Sequence, residues 1–209
     1  MYVAPAATAP VILLFHQADS SKSEYSPIAP RLVSLGYNVV AIDQRSGGDL
    51  YAPGNETVQH LGKSQPYLDA LPDMDAALAY ARRRFPGAPV AAWGSSYSAG
   101  LVFAFAAKHP HDVAAVLAFS PGEYFSDKHF VRNAAKHVRV PAFVDSASEA
   151  EEERNARAIY DALKSPLKVD FVPKAGVHGS STLRDDRDAP GATENWDAVT
   201  AFLARAVPH

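Results

Sequence analysis

The 209-residue sequence predicts an α/β domain, a mostly parallel sheet of about six strands with helices on both faces. Three observations carry that expectation. Short apolar runs recur along the chain with helical stretches between them. The runs are continuous rather than alternating, which suits strands covered on both faces. No composition break, repeat or linker divides the chain, so residues 1–209 are expected to form one domain.

Composition narrows the function classes. Hydrophobic residues make up 47% and charged residues 21%, ordinary values for a globular protein with a sizeable core. Lys plus Arg number 20 against 23 Asp plus Glu, a formal charge of −3, so no basic footprint points to nucleic acid or an anionic membrane. Without cysteine there is no disulfide, thiolate metal site or cysteine nucleophile. The longest early apolar run, Val11 to Phe15, is far short of the roughly 20 residues of a membrane span. Residues 1–10 lack the basic and apolar regions of a secretory signal. A cytoplasmic protein is expected, although a removed signal would leave the same sequence. The oligomeric state is not legible.

In chain order, the strand candidates are Val11 to Phe15, Asn38 to Asp43, Pro89 to Trp93 and Val113 to Phe119, with Val140 to Asp145 and Lys168 to Val172 weaker. Between them, Leu71, Met74, Leu78, Ala81 and Phe85 form the stripe of an amphipathic helix. Arg82, Arg83 and Arg84 fall near its end, where positive charge suits the helix dipole better than it argues for a phosphate site. Ser98 to Lys108 reads as a helix buried against the sheet, and Glu151 to Leu163 and Glu194 to Ala206 complete the set. Gly36 and Gly87 stand at helix C-termini. Ser46 to Pro66 lacks periodicity and reads as a loop or irregular excursion, of a length that is often functional. Its Asn55-Glu56-Thr57 fits a glycosylation sequon, a pattern common by chance.

The chemistry concentrates in Val90-Ala91-Ala92-Trp93-Gly94-Ser95-Ser96-Tyr97-Ser98-Ala99-Gly100. A strand enters a small-x-Ser-x-small turn and a small-residue helix follows, the setting that lifts a serine nucleophile above a sheet. Gly94 and Ser98 flank Ser96 as the turn requires. Centring on Ser95 would put Trp93 and Tyr97 at the flanks, and centring on Ser98 would move the nucleophile into the helix. The nucleophile is therefore Ser96. A serine hydroxyl needs a base. His178, in Gly176-Val177-His178-Gly179 between the last strand and the last helix, occupies the place that the serine-first chain order requires.

The orienting acid is expected after the fifth strand. Ser146-Ala147-Ser148-Glu149 resembles a G-x-x-D acid turn, so Glu149 is the expected acid. Glu151 competes closely, Glu123 follows the fourth strand, and Asp145 falls within the strand end. The expected oxyanion donors are the backbone N–H groups of Tyr97 and Gln17, with His16 shaping the turn after the first strand. Tyr51, Tyr67, Tyr124 and Phe125 are candidates to line an apolar pocket.

Together the His16-Gln17 turn, Leu35 to Arg45, the Ser96 elbow and Gly176 to Gly179 resemble the α/β-hydrolase superfamily over nearly the whole chain. The resemblance is closest to small dienelactone-hydrolase-like serine hydrolases. It implies a Ser-acid-His triad working without metal or organic cofactor, and a small-molecule ester or thioester as substrate. The sequence departs from these relatives in having serine for the cysteine of dienelactone hydrolase, and Gln17 where many have glycine. No inserted cap domain is present, so residues 46–66 are expected to shape the substrate site. Amide or peptide cleavage by the same triad, and a non-catalytic ligand-binding role, are the competing expectations.

Overall fold

The computed structural model describes every residue except Pro5, Ala7 and His209. Six strands form one parallel sheet: β1 (Val11–Phe15), β2 (Asn38–Ile42), β3 (Val90–Ser95), β4 (Ala115–Phe119), β5 (Ala142–Asp145) and β6 (Lys168–Phe171). Their spatial order is β2-β1-β3-β4-β5-β6, so the direction of winding reverses at β1 and β3. In such sheets ligands bind beyond the carboxyl ends of the strands at that reversal. The turn that carries Ser96 follows β3 directly.

Seven α-helices occur among the described residues: α1 (Ile28–Ser34), α2 (Glu56–Leu61), α3 (Leu71–Arg84), α4 (Tyr97–Lys108), α5 (Phe130–Ala135), α6 (Ala150–Ala162) and α7 (Ala192–Ala206). Side chains alternate across a strand, and β1 displays the consequence. Val11, Leu13 and Phe15 join a core with α3, α4, α5 and α6, whereas Ile12 and Leu14 join a second core with α1 and α7. Both faces being apolar there, the β1 sequence shows no polar alternation. No helix among the described residues is long and apolar enough to cross a membrane.

The stretch from 46 to 66 is less irregular than the sequence suggests, because it contains α2. Six residues are too few to display a helical period. The helix is set by its ends: Asn55 accepts the Val58 N–H, and Gly62 adopts φ +76 at the C-cap. The same Asn55 is buried, and its amide donates to the Gln44 carbonyl at 2.8 Å. It is a structural cap, not an exposed sequon. Arg82, of the arginine trio, donates to the carbonyls of Ala88 and Asp112 and so ties the end of α3 to the following loops.

Candidate active site

Ser96 sits between β3 and α4 with φ +57 and ψ −120, a conformation that costs a non-glycine residue about 1–3 kcal/mol. The turn is tight enough that a Cβ on Gly94 would strike the Ser98 carbonyl, which explains the small flanks. Both rival hydroxyls are committed elsewhere. Ser95 donates to Glu24 at 2.7 Å, and Ser98 lies 2.7 Å from the His16 carbonyl. Ser96 Oγ instead lies 2.8 Å from His178 Nε2.

The ring of His178 is held on its other side by Glu152, with Nδ1 2.6 Å from Oε1. The expected acid, Glu149, is exposed at the N-cap of α6 and makes no hydrogen bond to the ring; Glu151 is likewise exposed. Glu123 is occupied at α5, where it accepts the N–H groups of Val131 and Arg132. Asp145 ends β5 with its carboxylate fully buried. The correction has a helical cause. Glu152, Ala156, Ile159 and Leu163 are spaced 4, 3 and 4 apart, so Glu152 continues the buried face of α6 into its first turn. A carboxylate on an otherwise apolar inward stripe was the overlooked signal. Its place near the helix N-terminus also favours negative charge.

The electrostatics follow from these contacts. Burial works against a charged His178, but the hydrogen bond and charge of Glu152 outweigh it and raise the ring above its ordinary pKa. Burial also opposes ionisation of Glu152, yet its bonds to His178 and Ser120 hold it below the usual carboxylate value. Ser120 has φ +52, and its Oγ accepts the Gly179 N–H at 2.9 Å, so it links acid and histidine loop.

The turn after β1 departs from expectation in one respect. The Gln17 N–H donates to Glu24 Oε2 at 2.8 Å within the interior, so it is not available as an oxyanion donor. The next N–H along, that of Ala18, has no hydrogen-bond partner among the described residues. Tyr97 is the first residue of α4, where an N–H has no intrahelical acceptor. His16 shapes the turn as expected: Nδ1 lies 2.8 Å from the Gln17 carbonyl, and Nε2 accepts the Gln44 N–H at 3.0 Å. Burial pushes its pKa down to about 4, so it is a neutral strut.

Glu24 was not foreseen. Fully buried, it accepts from the Gln17 N–H, the Gln17 side chain and Ser95, while Ser95 Oγ accepts the Ser180 N–H at 2.8 Å. One carboxylate thus joins the turn after β1, the turn around Ser96 and the loop following His178. Of the four aromatic candidates, Tyr67, Tyr124 and Phe125 line a common cleft, whereas Tyr51 turns inward to Ser181. No group of three or more His, Asp or Glu side chains among the described residues could hold a metal ion.

A family model described as serine aminopeptidase, S33, matches residues 6–169, most of the chain. The chain belongs to the serine aminopeptidase S33 family. This S33 member has the α/β-hydrolase fold, and solved structures agree on it at low identity. A dienelactone hydrolase from Anabaena variabilis ATCC 29413 superposes with TM-score 0.76 at 15% identity, covering 98% of this chain and 89% of its own. Est1E from Butyrivibrio proteoclasticus, solved with ferulic acid, gives 0.75 at 13% identity, with coverages of 98% and 92%. A monoacylglycerol lipase from Paleococcus ferrophilus gives 0.69 at 14%, with 95% and 96%. No curated protein sequence matches the S33 chain.

Proposed function

We propose that the protein is a serine hydrolase that cleaves a carboxylic ester or thioester through an acyl-enzyme. The observation that carries the reading is the continuous chain Ser96 Oγ, His178 and Glu152, with links of 2.8 and 2.6 Å. Nucleophile–base and base–acid contacts of this length are what activation of a hydroxyl requires. The dienelactone hydrolase, esterase and lipase among the structural neighbours are consistent with an ester substrate.

Ser96 Oγ attacks the acyl carbonyl as His178 Nε2 takes its proton. Glu152 stabilises the imidazolium and fixes the proton of Nδ1, leaving Nε2 free to accept. The developing oxyanion meets the N–H groups of Tyr97 and Ala18, the latter replacing Gln17. His178 then protonates the leaving alcohol or thiol. Water, deprotonated by His178, attacks the acyl-enzyme, and the Ser96 Oγ–acyl bond breaks as His178 returns the proton to Ser96 and the acid leaves.

The family description names an aminopeptidase, so amide cleavage is the reading to separate from this one. Matched pairs of ester and amide with the same acyl group decide it. The proposal expects turnover of the ester, and expects Ser96→Ala to abolish it by several orders of magnitude. Preferred turnover of the amide would overturn the ester reading, and full ester activity in Ser96→Ala would overturn the triad.

A further inference from the structure

Beside the triad lies a cleft of about 460 Å³ whose apolar lining is largely aromatic, formed by Tyr67, Leu68, Tyr124 and Phe125. Tyr67, Leu68 and Tyr124 are each more than a third exposed, an unusual concentration of large apolar side chains at one place on a surface.

Two contacts tie this cleft to the nucleophile. Tyr124 donates to the Ser120 carbonyl at 2.9 Å, with the Ser96 side chain close to its hydroxyl. Tyr67 stacks on Tyr97, the residue after Ser96, with ring centroids 4.4 Å apart and planes 14° from parallel. The cleft therefore lies next to Ser96, within reach of an acyl group or leaving group held there. Besides the tyrosine hydroxyls, its polar side chains are Gln65, Asp69 and Ser126.

We propose that this cleft is the specificity subsite of the enzyme and that it takes one planar aromatic ring of the ester substrate. The inference rests on the hydrolase reading given above. Rings prefer offset-stacked or edge-on partners, and the tyrosine and phenylalanine faces here supply them. A cavity of about 150 Å³ suffices for benzene, so this cleft has room for a single substituted ring. Asp69 at the cleft disfavours a ring bearing a carboxylate and is compatible with neutral substituents.

The test uses the full-length protein and esters without a chromogenic ring, followed by proton release. Methyl phenylacetate, methyl cyclohexylacetate and methyl acetate place the ring on the acyl side. Benzyl acetate and cyclohexylmethyl acetate place it on the alcohol side. On one of the two sides, the aromatic ester should exceed methyl acetate at least ten-fold in kcat/KM. It should also exceed its cyclohexyl partner about three-fold or more, the margin of ring–ring contact over plain burial. In Tyr67→Leu, the aromatic-to-cyclohexyl ratio should fall to about one. Equal or better turnover of the cyclohexyl esters on both sides would overturn the proposal, as would a Tyr67→Leu protein that keeps the full ratio. Labelling by a fluorophosphonate separates the two levels of the argument. A labelled protein without ring preference refutes the cleft alone, and an unlabelled one refutes the hydrolase reading together with the cleft.

Discussion

Replacing Glu152 by glutamine tests the triad where the sequence and the fold disagree. The carboxylate holds Nδ1 of His178 from 2.6 Å, which puts its charge centre and that of the ring about 4 Å apart. At an effective dielectric of about 20, two unit charges at about 4 Å interact by about 4 kcal/mol. Losing that hold on the imidazolium corresponds to about a thousand-fold in kcat. A glutamine amide can also turn its NH₂ toward Nδ1, which selects the tautomer whose Nε2 cannot accept the Ser96 proton. Loss of the acid in comparable triads costs about 10⁴. Glu152→Gln should therefore lie about 10³–10⁴ below the parent in kcat with an ester substrate. Glu149→Gln and Glu151→Gln, altered at exposed positions, should stay within a few-fold.

The pH profile supplies a second readout. Activity needs neutral His178, so kcat/KM rises as pH climbs through the pKa of the ring in the free enzyme. Glu152 raises that pKa in the parent. Without it, burial is left to lower the pKa, and the acid limb of the residual activity should move to lower pH. Near-parental activity in Glu152→Gln, coupled with a thousand-fold loss in Glu149→Gln, would refute the reasoning.

Two further predictions concern buried carboxylates. Glu24→Gln puts an NH₂ donor among the donors of Gln17 and Ser95; an unmet buried group costs about 2 kcal/mol. A thermal melt should show a drop of roughly 4–8 °C, and an unchanged midpoint would contradict the bridging role of Glu24. Asp145 has neither oxygen hydrogen-bonded among the described residues, and burial, with smaller contributions from Glu152 and Asp188, raises its pKa well above normal. Its raised folded-state pKa means that the parent loses stability as pH rises from the unfolded value toward the folded one. Asp145→Asn lacks that loss, so the melting-point difference, variant minus parent, should grow from about pH 4 to about pH 8. A difference independent of pH would show that Asp145 is not held neutral.

The sequence carried the scaffold and singled out Ser96 and His178, which the fold brings together, because their signals are local. Five-residue apolar runs such as Val11–Phe15 locate parallel strands, and the small flanks of Ser96 follow from a steric requirement of one turn. Glu149 was expected beside His178 in place of Glu152 because a turn-like pattern, Ser146 to Glu149, competed with a helical one. Helix α6 begins at Ala150, early enough to carry Glu152 inward on the stripe of Ala156 and Ile159. The part expected of the Gln17 N–H failed for a non-local reason. Only the approach of Glu24, seven positions along, removes the Gln17 N–H from use. Helix α2 was hidden because it lasts six residues and is defined by Asn55, whose partners His16, Ser20 and Gln44 lie in other segments. The aromatic cleft likewise depends on Tyr67 and Tyr124 meeting across 57 positions of chain, which no periodicity records.

The central claim is that one serine of the three in Ser95-Ser96-Tyr97-Ser98 is made nucleophilic by His178. Treating the protein with a fluorophosphonate, digesting it and locating the adduct by mass spectrometry measures this directly. The account predicts a single modification on Ser96, lost in His178→Ala and in Ser96→Ala. An adduct on Ser95 or Ser98, or equal labelling after removal of His178, would contradict it.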